Sequence, residues 1–206
     1  MIKDLINKEL EAIKNIPIDE SYENAINLIY EYVHIKKAKV LAAGIGKAGH
    51  IAHNIAMTLS STGTRAFFVH PTEAQHGDLG ILAENDILLL ISNSGKTREV
   101  LEFINLAKRI YPDTKVISIT GNKNSELAQE SDVVLYTGGA PEIDKFELVP
   151  TTSITLMTII GDILVVELMN KINFTKEQYH KLHHSGYISI KLDEIIKLNN
   201  KNNNEK

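Results

Sequence analysis

At 206 residues the chain is long enough for one domain that buries most of its unfolded surface unaided. It has no cysteine, which excludes disulfide staples, thiolate metal sites, iron–sulfur clusters and a cysteine nucleophile. A formal net charge of -4 predicts no general attraction to nucleic acid. The opening MIKDLINKELEAI carries acids within its apolar stretch and lacks a small-residue cleavage site, unlike a signal peptide. Runs such as Ile87–Ile91 are too short to cross a bilayer. A cytoplasmic chain without membrane or nucleic-acid partners is the expectation.

Residues 1–36 carry Leu5, Ile6, Leu10 and Ile13, then Ala25, Ile26, Ile29 and Val33, at three- and four-residue spacing. This predicts two helices broken near Pro17, belonging to the same domain as the rest of the chain. From Lys37 the pattern changes to short apolar runs separated by helical stretches. Strands are predicted over Ala38–Ala43, Ala66–Val69, Asp86–Ser92, Lys115–Thr120 and Val133–Tyr136, with helices over Ala48–Ser61 and Thr97–Ile110. A long helix, apolar nearly all round, is predicted from Thr152 to about Lys171, and a shorter one from Thr175. Continuous apolar strands alternating with helices imply right-handed βαβ units and a parallel sheet covered on both faces. The expected fold is therefore α/β, a flavodoxin-like three-layer α/β/α sandwich over 37–198, with residues 199–206 as a polar, disordered tail.

Ligands of such sheets sit beyond the carboxyl ends of the strands, so those loops carry the functional reading. Gly44-Ile45-Gly46-Lys47-Ala48-Gly49 matches G-x-G-x-x-G between a strand and a helix. A dinucleotide site also needs an acid at the end of the second strand, where Phe68-Val69-His70 stands instead. What remains is a helix start open to an anion, with Lys47 as a point charge. Ser92-Asn93-Ser94-Gly95-Lys96-Thr97 places three hydroxyls at another strand-to-helix junction, and Pro150-Thr151-Thr152-Ser153 repeats the arrangement. One such junction reads as a simple helix cap, whereas two in one sheet point to a phosphate monoester. His70 to Gly80 packs two histidines and two acids into a loop, and His180, His183 and His184 cluster near the end. No acid is fixed beside that histidine cluster by spacing, so a metal site is not its first reading.

Together these residues resemble the sugar isomerase (SIS) domain family, and within it the arabinose-5-phosphate isomerase branch. The run GIGKAGHIAHNIAMTLSSTGTRAFFVHPTEAQHGDLG, then ISNSG and VPTTSITLMTIIGD, carries the resemblance over about Ala38 to Gly186. The FVHP-x-E-A-x-HGDLG stretch is its most specific part. The resemblance implies four catalytic positions, Lys47, Glu99, Glu142 and His184, and substrate contacts at Gly63, Thr64 and His76. Ser92, Ser94, Thr97 and Thr152 are the expected phosphate ligands. The implied reaction interconverts D-ribulose 5-phosphate and D-arabinose 5-phosphate through an enediolate, supplying Kdo for lipopolysaccharide or capsule. It needs no cofactor and no metal, with His70 as a position for incidental zinc. A homotetramer is implied, and His184 lies far enough along the chain to serve a neighbouring subunit.

Three departures accompany the resemblance. Lys96 stands where the family has glutamate, and His184-Ser185-Gly186-Tyr187 replaces the family's H-P-G-G, leaving His183 as a rival to His184. The chain also stops where many relatives continue into two CBS domains, so regulation through such domains is not expected. Either Glu99 or Glu142 suits the carbon base, with Glu99 preferred. Lys47 or a helix N-terminus suits the enediolate, and a histidine the hydroxyl proton. Another SIS isomerase, such as 6-phospho-3-hexuloisomerase, is the nearest alternative. A phosphosugar sensor is the alternative from a different class, although only 36 residues precede the sheet, too few for a DNA-binding domain.

Overall fold

A computed structural model describes residues 1–184 and Lys191. The expected domain end at 198 and the tail at 199–206 lie outside the described residues. Helices α1 (Ile2–Lys14) and α2 (Ser21–Ile29) open the chain, and α2 widens into a π-helical segment over Tyr30–Ile35. Then follow β1 (Val40–Gly44), α3 (Lys47–Ser61), β2 (Ala66–Phe68), a helical turn α4 (Pro71–Ala74) and a 3-10 turn over Asp78–Ile81. The order continues with β3 (Ile87–Ile91), α5 (Arg98–Ile110), β4 (Lys115–Thr120), α6 (Glu126–Gln129) and β5 (Val133–Tyr136). Helices α7 (Thr152–Lys171) and α8 (Lys176–Leu182) close it. All strand pairs are parallel, in the order β2-β1-β3-β4-β5.

Every residue of β1 and β3 is buried, because helices cover both faces. The strands' continuous apolar run hides a period of two. Val40, Ala42, Ile87, Leu89 and Ile91 face a core shared with α2, α3 and α7. Leu41, Ala43, Leu88, Leu90 and Val116 face a second core with Phe103 and Ile104 of α5. Ile16, Ala25, Ile29 and Val33 lie in the first of these cores, so the N-terminal helices pack on the sheet's own interior.

Helix α7 needs a correction to the expectation that no run is long enough for a membrane. The most apolar 18-residue stretch of this 20-residue helix has a mean hydropathy of 1.7, and by length and composition alone it could span a bilayer. Half of that stretch is buried here, with Leu156, Ile160 and Leu164 in the core. Gly161 lets α7 approach α3 so closely that a β carbon there would collide with Ile55. Such packing is that of a central core helix.

The G-x-G-x-x-G run also finds its reason in packing. A β carbon on Gly49 would sit 2.7 Å from the Gly44 carbonyl oxygen, and one on Gly44 3.0 Å from Ala48 backbone. Gly46 has φ +60, a conformation that other residues adopt at a cost. The glycines therefore serve a tight strand-to-helix turn, and no dinucleotide is required to explain them.

Candidate active site

In this strand order the winding of the sheet reverses between β1 and β3, one connection leading outward to each side, which opens a crevice at their carboxyl ends. Gly44 pairs with Ile91, so the Ile45–Lys47 turn and the Ser92–Thr97 loop emerge side by side. After β5 the chain turns at Gly138 and Gly139, both with positive φ, and passes through residues 140–150 to the start of α7. These segments enclose a cavity of about 390 Å³, within the range of small-molecule sites.

Lys47, Ser92, Ser94, Thr97 and Glu142, all expected site residues, line this cavity. Lys47 is exposed in the first turn of α3, where its charge opposes the helix dipole. An anion in the cavity offsets that cost. Ser92 Oγ lies 2.8 Å from Thr97 Oγ1 and accepts the Gly95 N–H at 3.2 Å, while Ser94 Oγ accepts the Lys96 N–H at 3.2 Å. Thr97 occupies the N-cap position of α5, yet its hydroxyl makes no capping bond. The N–H groups of Arg98 and Glu99 thus lack a cap and remain available to a ligand oxygen, whereas that of Val100 donates to the Thr97 carbonyl at 3.1 Å.

Glu142 is held at the opposite wall. Its Oε2 accepts the Thr151 N–H at 2.7 Å, the Thr151 hydroxyl at 3.1 Å and the Ser153 N–H at 3.2 Å. Its Oε1 accepts the Ser153 hydroxyl. Partial burial pushes its pKa up, but the bonds from Ser153 and Thr151 outweigh burial and hold it below the ordinary 4.5. The carboxylate caps α7 and uses the donors that an anionic ligand would need there. A phosphate is therefore left the uncapped starts of α5 and α3, and of these only that of α5 is flanked by the Ser92, Ser94 and Thr97 hydroxyls.

The structure corrects the placement of Thr152. It is fully buried, and its hydroxyl donates to Glu9 Oε1 of α1 at 3.0 Å. One residue on, the helical turn carries Ser153 to the cavity wall instead. Glu99 is half-buried in the first turn of α5 and does not line the cavity. His76 is exposed after α4, and His70 is exposed just past β2, its ring 6.4 Å from that of Phe68.

Gly63, Thr64 and His184 lie elsewhere. Helix α3 carries the chain about 22 Å from Lys47 before Gly63 is reached, and α7 runs about 30 Å from Thr152. At that far end a β carbon on Gly63 would sit 3.0 Å from the Phe174 ring, and Thr64 Oγ1 lies 3.0 Å from His34 Nε2. Burial, then Lys37 and Arg65, push the His34 pKa down, so this imidazole is neutral at pH 7. His183 Nδ1 lies 2.9 Å from the Tyr179 carbonyl and its ring stacks on Tyr179 at 3.8 Å, whereas His184 is exposed. Among the described residues no group of three His, Asp or Glu side chains is arranged to hold a metal ion.

Sequence reasoning missed Asn93, Glu147, Leu148, Ser153 and Met157 at the cavity. The hydroxyl pattern pointed to the start of α7 but not to which hydroxyl faces inward. Glu147 carried no signal at all.

A doubly wound parallel sheet with its cavity at the switch point places the chain among α/β proteins that bind ligands beyond the strand ends. The SIS domain profile matches residues 34–167. The chain belongs to the SIS domain family. The arabinose 5-phosphate isomerase KdsD of Francisella tularensis is 40% identical over 191 residues, covering 93% of this chain and 57% of that one. The chain thus spans little more than half the length of this curated relative. A Bacteroides fragilis structure, described as a phosphosugar isomerase involved in capsule formation, is 56% identical with a TM-score of 0.88. That likeness covers 90% of this chain and 97% of that one. The structure of an Escherichia coli CFT073 protein in complex with arabinose 5-phosphate is 36% identical with a TM-score of 0.79. It covers 86% of this chain and 93% of the other.

Proposed function

We propose that the chain is an aldose–ketose isomerase that interconverts D-ribulose 5-phosphate and D-arabinose 5-phosphate. The observation that carries this reading is the convergence of Lys47, Glu142 and the 92–97 hydroxyl cradle on one cavity. Phosphate binds at Ser92, Ser94, Thr97 and the open start of α5, which fixes the sugar carbons relative to the opposite wall. Glu142 removes a C1 proton from the ketose, and the electrons move onto the C2 oxygen as an enediolate. Lys47 stabilises that charge. A proton passes from the C1 oxygen to the C2 oxygen, the C1 carbonyl forms, and Glu142 returns its proton to C2. Glu142 takes the base role ahead of Glu99 because it lines the cavity and Glu99 does not.

Gly63, Thr64 and His184 join a site of this kind only from another copy of the chain. The position of Gly63 and Thr64 at the far end of α3, with His184 exposed beyond α8, supports a homotetramer with shared sites. The same reading makes the protein cytoplasmic, free of cofactor, metal, membrane and nucleic acid, and a supplier of Kdo synthesis.

Purified chain incubated with D-ribulose 5-phosphate is expected to form arabinose 5-phosphate and not its C2 epimer, ribose 5-phosphate. Ribose 5-phosphate as the sole product, or no turnover, would contradict the proposal. Ser92→Ala removes the partner of Thr97 and the acceptor of the Gly95 N–H. It is expected to raise KM for the sugar phosphate at least about tenfold with a smaller change in kcat, in line with one lost charge-assisted bond.

Glu142 also sets a pH dependence of stability. Its pKa is lowered on folding, so its contribution is fully present above about 4.5 and is lost as pH falls through the folded value. The gap in melting temperature between wild type and Glu142→Gln is expected to be constant above pH 5 and to narrow below 4.5. Thermal melts across that range measure it.

A further inference from the structure

Two carboxylates line the cavity, and they differ in kind. Glu142 is tied to α7 by Thr151 and Ser153. Glu147 accepts no hydrogen bond and forms no ion pair among the described residues, though the segment around it is closely organised. The N–H of Phe146 donates to Asp144 Oδ1 at 2.8 Å. Those of Leu148 and Val149 donate to Asp144 Oδ2 at 3.0 and 2.8 Å, and that of Glu147 to the Asp144 carbonyl at 3.1 Å. Four successive N–H groups therefore close on one aspartate.

This knot holds Glu147 at φ +55, where a side chain with a β carbon is strained. Three other described non-glycine residues share a positive φ. Asn85 and Asn173 tolerate it chemically, and Lys37 ends the π-helical segment with Nζ donating to the His34 carbonyl at 2.7 Å. Glu147 has neither excuse. Packing does not explain it either, since its neighbours Phe146 and Leu148 are exposed by 64% and 77%. A second negative charge also works against an anionic ligand in this cavity, unless it addresses neutral groups of that ligand. A carboxylate accepts hydrogen bonds from hydroxyls through either oxygen.

We propose that Glu147 is a specificity-determining residue that accepts hydrogen bonds from the substrate's sugar hydroxyls and so selects the configuration of the chain. The inference rests on the isomerase reading for its substrate class. Glu147 is itself exposed, so water solvates its carboxylate in the open site; a bound sugar displaces that water, and one whose hydroxyl points elsewhere then leaves the acceptor unpaired.

The test measures kcat and KM for D-ribulose 5-phosphate and its C3 epimer, D-xylulose 5-phosphate, with wild type, Glu147→Gln, Glu147→Ala and Glu147→Gly. Alanine and glycine are expected to lower kcat/KM on the preferred epimer by about ten- to a hundredfold, mainly through KM, and to shrink the ratio between epimers. Glutamine keeps one acceptor oxygen and is expected to recover part of the loss. Glycine relieves the positive φ and is expected to raise the melting temperature by about 1–4 °C even as specificity falls, which a purely structural residue would not show. All three variants within twofold of wild type on both sugars would overturn the proposal. If wild type turns over neither sugar, the isomerase reading fails, and Glu147 is judged by binding of D-arabinitol 5-phosphate. A melting shift with that probe that weakens in Glu147→Ala, while the shift with inorganic phosphate stays, upholds the proposal. Equal shifts in both proteins reject it.

Discussion

Glu142→Gln is expected to lower kcat by about 10³–10⁴-fold while sugar-phosphate binding persists. The amide cannot take a proton from carbon, whereas the 92–97 cradle proposed to hold phosphate is untouched. The same change disturbs the start of α7. Glu142 accepts two N–H groups and two hydroxyls there, and an amide NH₂ turned towards them sets donor against donor. A loss of about 1–3 kcal/mol follows at neutral pH. The variant should therefore melt lower and still show a ligand-induced shift. Activity within tenfold of wild type would remove Glu142 from the chemistry and return the base role to Glu99.

Gly95→Ala is expected to be the most damaging single-methyl change near the cavity. Gly95 has φ +62, and a β carbon there would collide with the Ser125 side chain. Ser125 cannot easily yield, because its hydroxyl accepts the Ala128 N–H at 3.3 Å and caps α6, while Leu127 N–H donates to the Gly95 carbonyl at 3.1 Å. The positive φ costs about 1–2 kcal/mol and the overpacking about 1–3. A destabilisation of about 2–5 kcal/mol is expected, lowering the melting temperature by about 4–20 °C. The shift of the 92–97 loop should also raise KM well beyond the effect of Ser92→Ala. Denaturant melts and steady-state kinetics on both variants check the two effects separately.

The centre of the sheet was legible because β1, β3 and nearly all of β4 are buried on both faces. Ile87–Ile91 is an unbroken apolar run and Lys115–Thr120 is rich in β-branched residues, and the structure moves no expected strand end by more than two residues. Half of the site was legible for a related reason. Lys47, Ser92, Ser94 and Thr97 sit where strands end and helices begin, and a parallel sheet gathers such junctions at one edge. Residues that depend on the turn of a helix were harder. Thr152 and Ser153 are adjacent hydroxyls, and Glu9, 143 positions from Thr152, decides which of them faces inward. The position of Gly63 and Thr64 at the far end follows from the length of α3, which separates sequence neighbours of the motifs from the cavity. Glu147 was hidden because its conformation comes from an aspartate knot with no characteristic spacing.

The central claim is proton transfer between C1 and C2 by a protein carboxylate, and proton NMR of the reaction in D₂O tests it most directly. Arabinose 5-phosphate formed from D-ribulose 5-phosphate should carry deuterium at C2, because a proton held on Glu142 exchanges with solvent before it returns. Product with undiluted protium at C2 would indicate transfer without solvent exchange, as in a hydride shift, and would contradict the enediolate account.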